Sequence, residues 1–120
     1  MNKFHRSITA GALWAAALSL QALPTYAEGD AHGVGNAVYS KWCAPCHAPG
    51  ITHPGTNALM VKYQGVKSGV LLEWTDLTPM YVEYMVRHGI SVMPQFRKTE
   101  ISDVELHALA AYLARNTPQS

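Results

Sequence analysis

Cys43, Cys46 and His47 stand together in the stretch WCAPCH, and the two cysteines are the only ones in the chain. Two thiols three residues apart, followed directly by an imidazole, can do two kinds of chemistry. As Trp-Cys-x-Pro-Cys they can cycle between dithiol and disulfide, as thioredoxin-like oxidoreductases do. As Cys-x-x-Cys-His they can add to the two vinyl groups of a haem from one turn of helix. The histidine then falls beneath the iron as an axial ligand. The elements that position the motif separate these readings.

A thioredoxin-like site places its cysteine pair after a buried strand, at a helix N-terminus whose dipole favours the thiolate. The residues before this pair are GNAVYSK, with no β-branched apolar run. Val34, Val38 and Trp42 recur at helical spacing, and Gly35, Tyr39 and Cys43 form the adjacent stripe. The spacing predicts a helix from about Gly35 to Cys43, with the cysteines at its C-terminal end. Val92-Met93-Pro94 could imitate the cis-proline segment of the thioredoxin fold, but no hairpin pattern follows it. Haem attachment is the better reading, and a thiol–disulfide oxidoreductase is the alternative from another class.

A haem on His47 needs a second axial ligand or an open site. A thioether favours ferrous iron, and ligand choice moves haem potentials over about 0.8 V. Beyond the leader the candidates are Met60, Met80, Met85 and Met93. Met80 and Met85 fall on a predicted helix and Met60 on a short apolar segment, where methionine commonly fills a core. Met93 falls on a loop stiffened by Pro94, between two helices. Met93 is therefore the expected partner of His47. With both axial positions filled, the iron serves electron transfer rather than catalysis; a sensor with a displaceable Met93 is a weaker alternative.

Two further helices are marked. Thr78 is an N-cap with Pro79 at the first helical position and Gly89 as the terminator, which predicts a helix from Pro79 to His88. Ser102 and Glu105 form a capping box, with Ile101 and Leu106 as its hydrophobic staple. Leu106, Leu109, Ala110 and Leu113 then make one apolar stripe up to about Arg115. Residues 28–33 are expected to be a loose leader. Leu59–Tyr63 could form a helical turn and Val70–Trp74 a short strand. The pattern is all-α with long loops.

Residues 1–27 have the form of a secretory signal peptide. Lys3, His5 and Arg6 precede an apolar run from Ile8 to Leu23, and a small residue, Ala27, ends the segment. The 16-residue run is short of the roughly 20 that span a bilayer. The expectation is a periplasmic domain, residues 28–120, with no membrane anchor after cleavage. Without Lys3 and Arg6, the chain's 9 basic and 8 acidic residues become seven against eight. A chain so close to neutral lacks the basic face of a nucleic-acid binder.

Gly35-x-x-x-Tyr39-x-x-x-Cys43, CAPCH, VRHGISVMPQF and ELHALAAYL together resemble class I cytochrome c, in family order. The resemblance implies three to four helices and long loops around one covalently bound haem c, on Cys43 and Cys46. It implies His47 and Met93 on the iron, and a first helix crossing the last with Gly35 and Tyr112 at the contact. More narrowly, the segment from DLTPMYVEYM to ALAAYL resembles the cytochrome subunits of flavocytochromes such as p-cresol methylhydroxylase and eugenol hydroxylase. That implies an FAD-containing dehydrogenase subunit as electron donor, acting on a 4-alkylphenol, and a periplasmic or membrane acceptor downstream. A free shuttle serving another dehydrogenase or an oxidase is the alternative. The stretch from Thr52 to Asp76 is longer than the corresponding family loop, so the carbonyl that orients His47 is open; Pro54 is the first choice and Pro49 the second. Arg87 could reach a haem propionate or lie solvated. Tyr63, Trp74, Tyr81 and Tyr84 are expected in the haem pocket or core, and Arg97–Glu100 in an exposed turn.

Overall fold

The computed structural model describes residues 28–118, so the expected signal peptide lies outside the described residues. The order is α1 (Glu28–Val38), a π-helical segment (Tyr39–Cys43), α2 (Ala44–His47), α3 (Pro54–Tyr63), a 3-10 turn (Leu71–Glu73), α4 (Pro79–His88) and α5 (Asp103–Ala114). Its first three pieces are continuous, so the domain is four helices with long connections. Among the described residues no helix is long and apolar enough to cross a membrane.

The first helix is longer at both ends than its apolar stripes predict. It begins at Glu28, where a loose leader was expected. Adding residues to a formed helix avoids the cost of nucleation, so the packed segment around Val38 carries its weaker N-terminal turns. At the other end it runs through Pro45. A proline has no N–H for the carbonyl four residues back and its ring crowds that carbonyl. The chain answers with a wider π turn, in which the Ala44 N–H bonds the carbonyl of Tyr39. The helix stops at Ala48, which is extended and precedes Pro49.

α5 is capped as its sequence predicts. The Glu105 N–H donates to the Ser102 hydroxyl, and the Glu105 carboxylate accepts from the Ser102 N–H. Ile101, Leu106, Leu109, Ala110 and Leu113 are all buried. Together with Val38, Tyr39, Trp74, Leu77, Val82 and Val86 they form the core. Thr78 caps α4 by accepting from the Tyr81 N–H, and Gly89 ends the helix at φ 68°. α3 is a ten-residue helix rather than a single turn. His53, at its N-cap, makes no capping bond, which leaves its start weakly marked. The Val70–Trp74 segment is a 3-10 turn, not a strand, since nothing pairs with it. Asn116 ties it to the end of α5 through the carbonyl of Leu72, and Thr117 ties the chain just beyond it through the carbonyl of Leu77.

α1 and α5 cross where Gly35 lies against the backbone of Ala108 and the Cβ of Tyr112. Tyr112 packs there against Tyr39, with ring centroids 6.0 Å apart. A side chain on Gly35 would meet the Ala108 carbonyl and, at 2.6 Å, the Tyr112 Cβ. A side chain on Gly33 would meet nothing within 4 Å. Gly33 and Gly35, on one helix, should therefore respond oppositely to alanine. Gly33→Ala should stabilise the protein by up to about 1 kcal/mol through helix propensity. Gly35→Ala should destabilise it by about 1–3 kcal/mol through overpacking. Denaturant unfolding checks both signs, and a stabilised Gly35→Ala would contradict this crossing.

Candidate functional site

The site is built at the end of the first helix. Cys43 closes the π segment, and Cys46 and His47 occupy the short α2. Both cysteines are free; Cys43 is half-buried against the core and Cys46 is exposed. Burial, reinforced by the nearby Cys46, pushes the Cys43 thiol up to about 11. A dithiol exchange centre needs a thiolate near neutral pH. Here the buried sulfur stays protonated, and the described residues contain no strand for a thioredoxin-like sheet. What remains is a pair of thiols one turn apart, one seated on apolar side chains and one open to approach.

His47 is held from three sides. The Tyr39 hydroxyl, one turn beyond the Gly35 crossing, donates to the His47 carbonyl at 2.8 Å. Burial pushes that phenol up to about 12, so it remains a donor. The Thr56 hydroxyl, fully buried in α3, donates to the Ala48 carbonyl at 2.8 Å. Third, Gly55 lies directly on the imidazole. A Cβ there would come within 2.6 Å of Cε1 and 2.8 Å of Nδ1 of His47. α3 therefore presses its first turn against the ring, and only a glycine fits. His53 adds a bond from Nδ1 to the Pro45 carbonyl at 3.1 Å, which occupies its ring within this same clasp.

The Nδ1 of His47 is buried and has no hydrogen-bond partner. Neither the Pro54 nor the Pro49 carbonyl accepts from it, contrary to the sequence expectation. Pro54 opens α3, and carbonyls within a helix point along its axis towards the following turn. Packing against Gly55 orients the ring in place of that bond. Burial also pushes the His47 pKa below the ordinary histidine range. The ring is thus neutral at neutral pH, the form that can donate a lone pair to a metal.

Met93 comes from the opposite side of the sequence. Gly89 turns the chain out of α4, and residues 90–93 form a tight turn closed by Met93 N–H to Ile90 O (2.9 Å) and Ile90 N–H to Met93 O (3.2 Å). Ser91 takes φ 54° in this turn, an uncommon conformation for a residue with a side chain. Met93 is partly buried against the same apolar core as Cys43. Two of the other methionines differ from expectation, while Met85 is half-buried. Met80 is 77% exposed and Met60 44% exposed, so neither fills the core. Of the aromatic residues, Trp74 is buried and meets Tyr63 edge-on at 5.5 Å, whereas Tyr81 and Tyr84 are exposed. Arg97–Glu100 is the exposed turn expected, closed by the Arg97 N–H on the Glu100 carboxylate.

The chemistry of this donor set fits a covalently bound haem: two free thiols one turn apart, a neutral imidazole next in sequence, and a thioether on a separate loop. Gly55 and Thr56 were not singled out from the sequence. Their only local mark is the Pro-Gly-Thr that begins α3, and their role depends on a contact across the fold.

Comparison with known proteins agrees with that chemistry. The family model for cytochrome C oxidase, cbb3-type, subunit III matches residues 30–113. The cytochrome c subunit of 4-cresol dehydrogenase [hydroxylating] from Pseudomonas putida is 32% identical over 82 residues. That match covers 68% of this chain and 59% of the relative, so the chain spans about three fifths of the relative's length. No solved structure matches.

Gly55→Ala tests the seat of His47. The added methyl must displace the ring or the first turn of α3. The protein should lose about 1–3 kcal/mol in denaturant unfolding. The His47 ring resonances should shift in NMR spectra. Unchanged stability and an unmoved ring would show that α3 does not hold the imidazole.

Proposed function

The chain belongs to the cytochrome c family, whose members carry covalently bound haem c and transfer electrons, and from that premise we propose the following assignment. Cys43 and Cys46 bind the haem as thioethers, and His47 and Met93 are its axial ligands. The protein accepts single electrons from an FAD-containing dehydrogenase of 4-alkylphenols and passes them to a periplasmic or membrane acceptor. It is exported, with residues 1–27 removed as the signal peptide.

The observation that carries the ligand assignment is His47 itself. It directly follows the thiol pair, is kept neutral by burial, and is gripped through its carbonyl and its ring face. Met93 supplies the soft partner, on a turn whose ends are bonded to each other. When bound, the haem supplies a one-electron iron couple. The chain's contribution is to seat its two ligands on fixed backbone, which limits rearrangement as the charge on iron changes. A partner that removes two electrons from its substrate must then deliver them in two successive steps.

The partner assignment is supported by the similarity to the cytochrome c subunit of 4-cresol dehydrogenase. The near balance of charge in residues 28–120 suits a stable apolar contact better than long-range steering.

Met93→Ala should leave the pigment attached and lower the reduction potential, because a thioether ligand raises it. An unchanged potential would remove Met93 from the iron. Protein purified from its native host should carry an FAD subunit, and adding a 4-alkylphenol should reduce the haem. A haem protein that purifies free of flavin, and is not reduced by a 4-alkylphenol with a flavoprotein dehydrogenase present, would contradict the partner and point to a free shuttle.

A further inference from the structure

Met93 lies on a short turn, and the segment after it, residues 94–101, crosses from α4 to α5 without helix of its own. Its shape has to be fixed from outside. Arg87, on the last turn of α4, reaches that segment at two points. Its Nη1 donates to the Phe96 carbonyl at 3.0 Å and to the Ile101 carbonyl at 2.9 Å. Its Nη2 donates to the Asp103 carboxylate at 2.9 Å, on the first turn of α5. The side chain is only 19% exposed, so it is not the solvated charge weighed from the sequence.

We propose that Arg87 is the positioning residue of the second axial ligand, holding the Met93 turn against the haem site by clasping Phe96 and Ile101. The inference rests on Met93 being that ligand.

The geometry connects the clasp to the ligand in a few steps. Phe96 is three residues past Met93, and its N–H donates to the Val86 carbonyl at 2.8 Å. Phe96 is thus bonded to α4 through both its N–H and its carbonyl. Its ring meets Trp42 edge-on at 5.8 Å, beside Cys43. On the other side of Met93, Gly89 leaves no room for a Cβ against the Met93 carbonyl and the Gln95 N–H. The turn is therefore held between Gly89 and Phe96, and Arg87 fixes the far end. A planar guanidinium can serve three acceptors in different directions, which a lysine ammonium on its flexible stem does less well. Asp103 is shared with Lys98, which bonds its other oxygen at 2.7 Å. Lys98 first, and Arg87 with it, holds that carboxyl below the usual range, so the anionic end of the clasp persists in mild acid.

Carbon monoxide binding to the reduced holoprotein is the test, because the gas competes with Met93 for iron. Arg87→Met keeps the apolar stem and removes every donor. The haem should stay attached while carbon monoxide affinity rises about tenfold or more, the equivalent of one lost charge-assisted hydrogen bond. Arg87→Lys should give a smaller rise, and it reads the same quantity if Arg87→Met does not accumulate. Thr117→Val removes the hydrogen bond to the Leu77 carbonyl beyond the opposite end of α5, away from the clasp, and its affinity should match the unaltered protein. Arg87 variants that lose stability yet bind carbon monoxide as the unaltered protein does would overturn the proposal and leave Arg87 a structural tie. Met93→Ala separates the two failures. If it too leaves carbon monoxide affinity unchanged, the ligand assignment has failed.

Discussion

The contact of Gly35 with the backbone of Ala108 is the constraint on which the rest depends. It brings α1 against α5 closely enough for Tyr39 and Tyr112 to pack at the crossing. From there the first helix has one direction in which to run. Tyr39 bonds the His47 carbonyl eight residues later, so the crossing also fixes the backbone of the histidine proposed as an axial ligand. A buried phenol is a durable donor, since burial and the neighbouring Cys43 keep its proton on. The Cys-x-x-Cys-His motif is thus presented by the core itself, on a helix continuous with the best-packed contact in the fold.

Pro45 gives this helix its second special property. A proline inside a helix ordinarily kinks or ends it. Here the π turn from Tyr39 to Cys43 absorbs the missing donor, and α2 continues to His47. Such turns recur at functional sites because they re-aim the residues that follow. In this chain those residues are the exposed Cys46 and the half-buried His47, while Cys43 stays on the core. α3 then closes over the histidine with Gly55 and Thr56. The ring is oriented by contact and by its backbone, without an acceptor for Nδ1.

How much of this was legible in the sequence depends on the range of each interaction. The caps of α4 and α5 are local chemistry, and Thr78, Pro79, Ser102 and Glu105 announced them. The buried stripe of α5 follows from its spacing. Gly35 and Tyr112 could be placed only through a family resemblance, because a helix crossing has no local signature. The helical start at Glu28 was hidden by two glycines that the packed helix tolerates. α3 was hidden because His53 caps it without a side-chain bond. Gly55 and Arg87 act through atoms distant in sequence or hidden from it, the His47 ring and the carbonyls of Phe96 and Ile101, and no periodicity could point to them. Met80 had the opposite fault: its helical position suggested core, yet it faces out.

These constraints share a purpose in an electron carrier, which works best when its ligands move little between oxidation states. The account stands or falls on covalent haem at Cys43 and Cys46. The most direct measurement is the absorption spectrum of protein made with the haem-attachment machinery, oxidised and reduced, followed by acid–acetone extraction. The account predicts a sharp reduced haem spectrum and a pigment that stays with the protein. A pigment that leaves with the solvent, or a colourless protein with two titratable thiols, would contradict it.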